Sequence, residues 1–366
     1  MALLLNEIQW GEPLLPVVAD PAWEAEMKSR GGRPNNVDLR TAPLPWLREF
    51  CFSARTYFYS VAVMPERLYP IVAMVVAQEN SCRYCYGINR AVLKIVGYSE
   101  AFIEGVERDM RVAELDEKER AVLAFCRNLA RSRPRPARSE AEALIKLGYS
   151  PLAVAEIASC VAASCFYNRV ITMTACPPQE DLERASSSPV EVLKGIAATF
   201  MQGIAARRQV TRKIAPLDAA ALADGPFGPV LATLAGLPAA AGVKAAVDGA
   251  LASTVLSRPA KALMFAVVAR ALDCRRSEVE ARKLLNGGDM DDAEVDSALA
   301  TLQSKRLASR ESGLLSWSRD TVNYETPVMQ KKTRMLAAEI GDTAVLEAIG
   351  IAALANGIVR LAMLLE

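Results

Sequence analysis

Histidine does not occur in the 366 residues. That removes the side chain whose unperturbed ionisation lies nearest neutral pH, and with it the commonest nitrogen ligand for metals. A histidine-based triad or zinc centre is therefore excluded. A second close cysteine pair is missing too, so a tetrahedral zinc site lacks its usual four ligands. Excess charge of one sign is also absent: 43 Lys+Arg against 42 Asp+Glu leave +1, which gives no electrostatic reason to expect nucleic acid or an anionic membrane as partner. Aromatic residues make up only 6% of a chain that is 52% hydrophobic and rich in alanine and leucine, a composition suited to closely packed helices rather than a β-sandwich. The opening MALLLNEIQWGEPLLPV has neither a basic start nor a long apolar run, so no secretory leader is read. A cytoplasmic setting is expected, where a C-x-x-C is more often catalytic or metal-binding than a structural staple.

The chemistry that remains is sulfur chemistry. Of eight cysteines, Cys51, Cys82, Cys85, Cys126, Cys160, Cys165, Cys176 and Cys274, one pair has redox spacing: Cys82 and Cys85, inside RLYPIVAMVVAQENSCRYCYGINRAVLKIVG at 67–97. Ser81 is a favourable N-cap, which places Cys82 in the first turn of a helix and Cys85 one turn on, along the same face. Unpaired amides and the helix dipole favour a thiolate there. Glu79, three residues before Cys82, is the nearest candidate base, and Asn89 lies four residues after Cys85.

An apolar helix, an A-Q-x-N-x-C-R-Y-C core and a second amphipathic helix together resemble the alkyl hydroperoxidase D-like branch of the carboxymuconolactone decarboxylase family. LIKLGYSPLAVAEIASCVAASCFYNRVITM, at 144–173, looks like the helix pair that closes that family's domain. The resemblance spans roughly 44–173. It implies a redox-active disulfide with no metal or organic cofactor, a small-molecule peroxide as substrate, an external dithiol or thiol reductant protein, and homo-oligomeric assembly. It also implies that Cys85 meets the peroxide and Cys82 resolves it, whereas helix position alone favours Cys82 as the more acidic thiol; Tyr84, Tyr86 and Asn89 are read as lining the substrate pocket. The family's usual histidine four residues after the second cysteine is here Asn89, which holds a water or substrate but cannot titrate near neutrality. A proton relay then falls to Glu79, water, Tyr84 or Tyr86. The alternatives are the family's non-redox decarboxylase-like chemistry, or a catalytically inactive binding or scaffold protein of the same fold.

Along the chain, 1–43 reads as an irregular arm and 44–178 as the helical domain carrying the pair. Within it, Ser99 and Asp116 are expected helix caps, Gly97 a helix stop, and the basic, proline-punctuated run 131–139 a solvated loop. Residues 179–225 read as a linker with a connecting helix at about 190–208. Residues 226–366 read as a degenerate second copy. Aligning Cys274 with Cys82 sets Val267, Val268 and Ala269 beside Val75, Val76 and Ala77, and Arg275 and Arg282 beside Arg83 and Arg90. A nearby register matches Glu347 and Arg360 with Glu156 and Arg169, the latter two expected to pair with each other across the closing helices. Cys85, Glu79 and Asn89 fall on Ser277, Ala271 and Ala281, so the redox chemistry is lost there. The apolar C-terminal stretch, interrupted by Glu347, Asn356 and Arg360, reads as a buried bundle helix rather than a membrane span. The expected architecture is all-α, as two tandem helical bundles.

Overall fold

The computed structural model describes residues 2–29, 34–57, 62–65, 67–111, 113–178, 217–285 and 290–366. The connecting helix expected at about 190–208 lies outside them. Every regular element among the described residues is a helix, and none is a strand.

The N-terminal arm is more regular than expected, with two short helices, α1 (Pro21–Ser29) and α2 (Asn36–Arg40). Its lack of long periodicity concealed α2, which is defined by the Asn35 cap: that side chain accepts the N–H groups of Val37 and Asp38. The arm lies against both halves of the chain. Trp10 donates to Cys176 O at 3.0 Å, and the Gly11 N–H donates to Gln330 Oε1 at 2.9 Å.

The first half continues with α3 (Pro45–Tyr57), α4 (Leu68–Glu79), α5 (Arg83–Ile95), α6 (Glu100–Arg108), α7 (Glu117–Arg131), α8 (Arg138–Lys146) and α9 (Pro151–Thr174). The caps fall where the sequence puts them: Ser99 accepts the Phe102 N–H and Asp116 the Glu119 N–H. Three helices come next, α10 (Ala219–Ala223), α11 (Gly228–Leu231) and α12 (Ala239–Ala252). The second half then runs through α13 (Arg258–Ala271), α14 (Arg275–Lys283), α15 (Asp292–Thr301), α16 (Leu314–Asp320), α17 (Thr326–Ile340) and α18 (Asp342–Met363).

The two halves share an order: an apolar central helix, a tight turn, an amphipathic helix, three further helices and a long closing helix. The turns agree in detail. The Cys82 N–H reaches Ala77 O at 3.0 Å and the Cys274 N–H reaches Ala269 O at 2.9 Å, while Ser81 and Asp273 are both left-handed, with φ of 48° and 53°. One apolar cluster nevertheless runs from Ile8 to Met363, so both halves draw on a single core. The closing helices α9 and α18 pack against each other at its centre. Gly357 lets them approach closely, since a Cβ there would stand 3.0 Å from Ala162 O. Both helices are long and apolar enough to cross a membrane by length and composition, but their most apolar stretches are 83% and 94% buried, so protein covers those surfaces.

The expected Glu156–Arg169 pair does not form. Both residues lie on α9, and thirteen residues at 1.5 Å each separate them by about 20 Å along the axis. Glu156 instead accepts the N–H groups of Ala62, Val63 and Met64 at 2.6, 2.8 and 2.6 Å, anchoring the segment that leads into α4. Glu347 does the same for the segment before α13 by accepting the Leu256 N–H. The arginines point across the halves: Arg169 to Thr321 O and Val322 O, each at 2.9 Å, and Arg360 to Ala130 O at 3.2 Å.

Candidate redox centre at the α4–α5 turn

α4 is apolar on every face and buried from Pro70 to Gln78, so it fixes the position of the turn at its C-terminal end. That turn consists of two residues, Asn80 and Ser81, and leads into α5. Ser81 is not the cap of α5; its left-handed backbone makes the turn, and Cys82 is the cap, with its sulfur accepting the Cys85 N–H at 3.4 Å. Cys82 therefore faces the amides at the start of α5 from outside the helix. Cys85 sits in its first turn, with its sulfur 2.9 Å from that of Cys82.

Both cysteines are buried, Cys82 completely and Cys85 with 5% of its surface exposed. Burial raises the Cys85 thiol well above the ordinary cysteine range, and its hydrogen bond with Cys82 and the neighbouring Cys176 raise it further. Thiol rather than thiolate is thus the resting form of Cys85, against the acidification expected from helix position: for a buried sulfur, loss of solvation outweighs the dipole. Cys176 is itself pushed up to about 12, chiefly by burial.

Glu79 is not the exposed carboxylate that its place at a helix end suggested. Its side chain is 4% exposed and turned to α7, with Oε1 at 2.9 Å from Arg127 Nε and Oε2 at 2.8 Å from Arg131 Nη2. Asn89 bonds to its own helix, donating to Cys85 O at 2.8 Å. Tyr84 is buried among core residues. Tyr86 is buried too, yet it lines a cavity of about 270 Å³ with Arg83, Arg90, Glu107 and Leu5. Among the described residues its hydroxyl has no well-formed hydrogen bond. Burial and the Glu107 charge hold it protonated. The structure therefore brings Cys82 and Cys85 together, puts Tyr86 at a cavity that neither sulfur lines, and commits Glu79 and Asn89 to protein partners.

Several neighbours of the turn were not legible in the sequence. Tyr324 donates its hydroxyl to Asn80 O at 3.1 Å, and Thr326 donates to Ser81 O at 2.9 Å, although each lies more than 240 residues away in the chain. Arg169 donates to Asn80 Oδ1 at 3.2 Å. Only Arg169 carried a signal, as a charge within an otherwise apolar helix.

In the second half Ser277 takes the place of the second sulfur, with Cys274 Sγ 3.4 Å from its hydroxyl. That turn lies beside a cavity of about 620 Å³ bordered by Arg270, Cys274, Glu278 and Arg282.

No family model matches the chain, and no curated protein matches it. Among solved structures it is similar to one described as the alkylhydroperoxidase AhpD core, an uncharacterized peroxidase-related protein from Ralstonia eutropha JMP134. The identity is 19%, the similarity covers 49% of this chain and all of the other, and the TM-score is 0.42.

Proposed function

We propose that this chain is a thiol-dependent oxidoreductase of the alkyl hydroperoxidase D-like kind, in which Cys82 and Cys85 reduce an organic hydroperoxide and close to a disulfide. The observation that carries the proposal is the 2.9 Å separation of two sulfurs at the start of one helix, where a small rotation forms the bond.

In the reaction, the Cys85 sulfur, having lost its proton, attacks the terminal oxygen of the hydroperoxide and the O–O bond breaks. The alkoxide leaves with the electron pair and takes up a proton to become the alcohol, and Cys85 becomes a sulfenic acid. The Cys82 sulfur displaces its oxygen, which departs as water once protonated, and the disulfide forms. Two electrons have passed from sulfur to peroxide, and an external dithiol returns the pair to its reduced form while being oxidised itself. Cys85 is assigned the attack because its position resembles that of the peroxide-reacting cysteine in alkyl hydroperoxidase D-like proteins. No histidine is present to carry protons, so water does, and Glu79 anchors α4 to α7. The matching turns, central helices and closing helices support reading residues 226–366 as a degenerate second copy fused to the first.

The burial of both thiols and the internal bond of Asn89 favour one competing reading, an inert scaffold that retains the fold. Mass-resolved alkylation before and after stoichiometric organic hydroperoxide separates the two. Rapid disulfide formation, lost in Cys85→Ser, supports the redox reading; thiols that stay reduced leave the scaffold.

A further inference from the structure

The turn that presents Cys82 is held from the other half of the chain. Tyr324 and Thr326, at the start of α17, donate to the carbonyls of Asn80 and Ser81, the two residues directly before Cys82. Arg169 ties the same places together, bonding Asn80 Oδ1 on one side and the carbonyls of Thr321 and Val322 on the other. These bonds converge on a residue in strained backbone. A left-handed serine is strained and persists only where its surroundings hold it.

The arrangement is reciprocal. In the second half the residue at the place of Ser81 is Asp273, also left-handed, and its carbonyl accepts Arg135 Nε at 2.8 Å from the loop before α8. α8 and α17 occupy the same place in the two halves, so each half grips the other's turn from the start of its penultimate helix. In the first half that grip falls on the residues that aim a sulfur.

We infer that Tyr324 and Thr326 are positioning residues for the redox pair, and that the second half sets the equilibrium between dithiol and disulfide. This rests on the redox reading above. The grip holds the reduced arrangement, in which Cys82 Sγ accepts the Cys85 N–H. Closing the disulfide draws the two sulfurs from 2.9 Å to about 2.05 Å, and the held turn limits how far the backbone at Cys82 can follow. The grip therefore favours the dithiol, and loosening it favours the disulfide.

The test uses the full chain equilibrated in glutathione buffers, with the fraction of Cys82–Cys85 disulfide read by mass-resolved alkylation. Tyr324→Phe alone and with Thr326→Val removes donors and keeps shape. Thr333→Val serves as the control, since Thr333 is a buried hydroxyl of α17 that bonds Met329 O and Trp317 rather than the turn. The double variant is expected to move the equilibrium at least tenfold toward disulfide, about 30 mV for this two-electron couple, with the single variant between it and the wild type and Thr333→Val unmoved. An unmoved equilibrium in folded Tyr324→Phe and double variants, or an equal shift in Thr333→Val, overturns the inference and leaves the redox reading standing. A wild-type pair that stays open in the most oxidising buffer overturns both.

Discussion

Glu79 and Arg131 share three hydrogen bonds: Arg131 Nη2 reaches Oε1 at 3.0 Å, and Nη2 and Nε reach Oε2 at 2.8 and 3.0 Å. Arg127 also approaches Oε1, so the carboxylate sits between two guanidinium groups on α7. Glu79→Gln is expected to cost about 1–2 kcal/mol of stability, because it leaves Arg127 partly buried without its counter-charge. Alkylation rates of Cys82 and Cys85 are expected to stay within about twofold of wild type in the same variant. Urea unfolding and timed alkylation check the two; a tenfold loss of thiol reactivity without loss of stability would return Glu79 to the role of base.

Glu156 receives three backbone N–H groups with two oxygens. In Glu156→Gln an amide donor replaces one acceptor and faces N–H groups head on. The expected loss is about 2–4 kcal/mol, measured by chemical denaturation. Glu156→Asp, one methylene shorter, is expected to lose part of the same amount.

Buried thiols make stability depend on alkaline pH. Cys85, Cys126 and Cys176 are all raised by burial, Cys176 to about 12. Below the ordinary cysteine pKa of about 8.5, folded and unfolded chains are equally protonated and the thiols contribute no slope. Above it the unfolded chain ionises while the folded chain does not, so stability falls with rising pH, by about 1.4 kcal/mol per unit for each such thiol. For Cys176 the fall continues to about 12. Denaturation midpoints between about pH 8 and pH 10 are expected to drop steeply, and less steeply in Cys176→Ala.

Trp46 is pinched between two glycines: a Cβ at Gly249 would come within 2.8 Å of its Cβ, and one at Gly350 within 2.8 Å of its ring. Alanine normally improves a helix interior by about 1 kcal/mol over glycine. At Gly350 on α18 the sign is expected to reverse, with Gly350→Ala losing about 1–3 kcal/mol as the ring is displaced. A thermal scan showing a gain would mean that the ring moves freely.

The legibility of each feature in the sequence depended on how local its signal is. The caps at Ser99 and Asp116 and the stop at Gly97 depend on a few adjacent residues and stand where their chemistry puts them. The buried character of α18 was readable from the polar residues that interrupt its apolar run. Ser81 shows the limit: a good cap by residue type, it lies in a turn so tight that the next residue takes the role. Glu79 shows another, since a carboxylate at a helix end reads as exposed until α7 brings two arginines against it. The hold on Asn80 and Ser81 by Tyr324 and Thr326 crosses the whole chain, and neither periodicity nor composition records a partner at that distance.

The pairing of α9 with α18 also governs the order of events during synthesis. About 190 residues separate the end of one from the end of the other. At a translation rate of about 5–20 residues per second, α9 leaves the ribosome roughly 10–40 s before its partner. For that interval a 24-residue helix, apolar on nearly every face, has no α18 to cover it. The first half is thus a nascent chain that waits for its own C-terminal helix, and a chaperone that shields apolar helices is expected to engage it until α18 arrives.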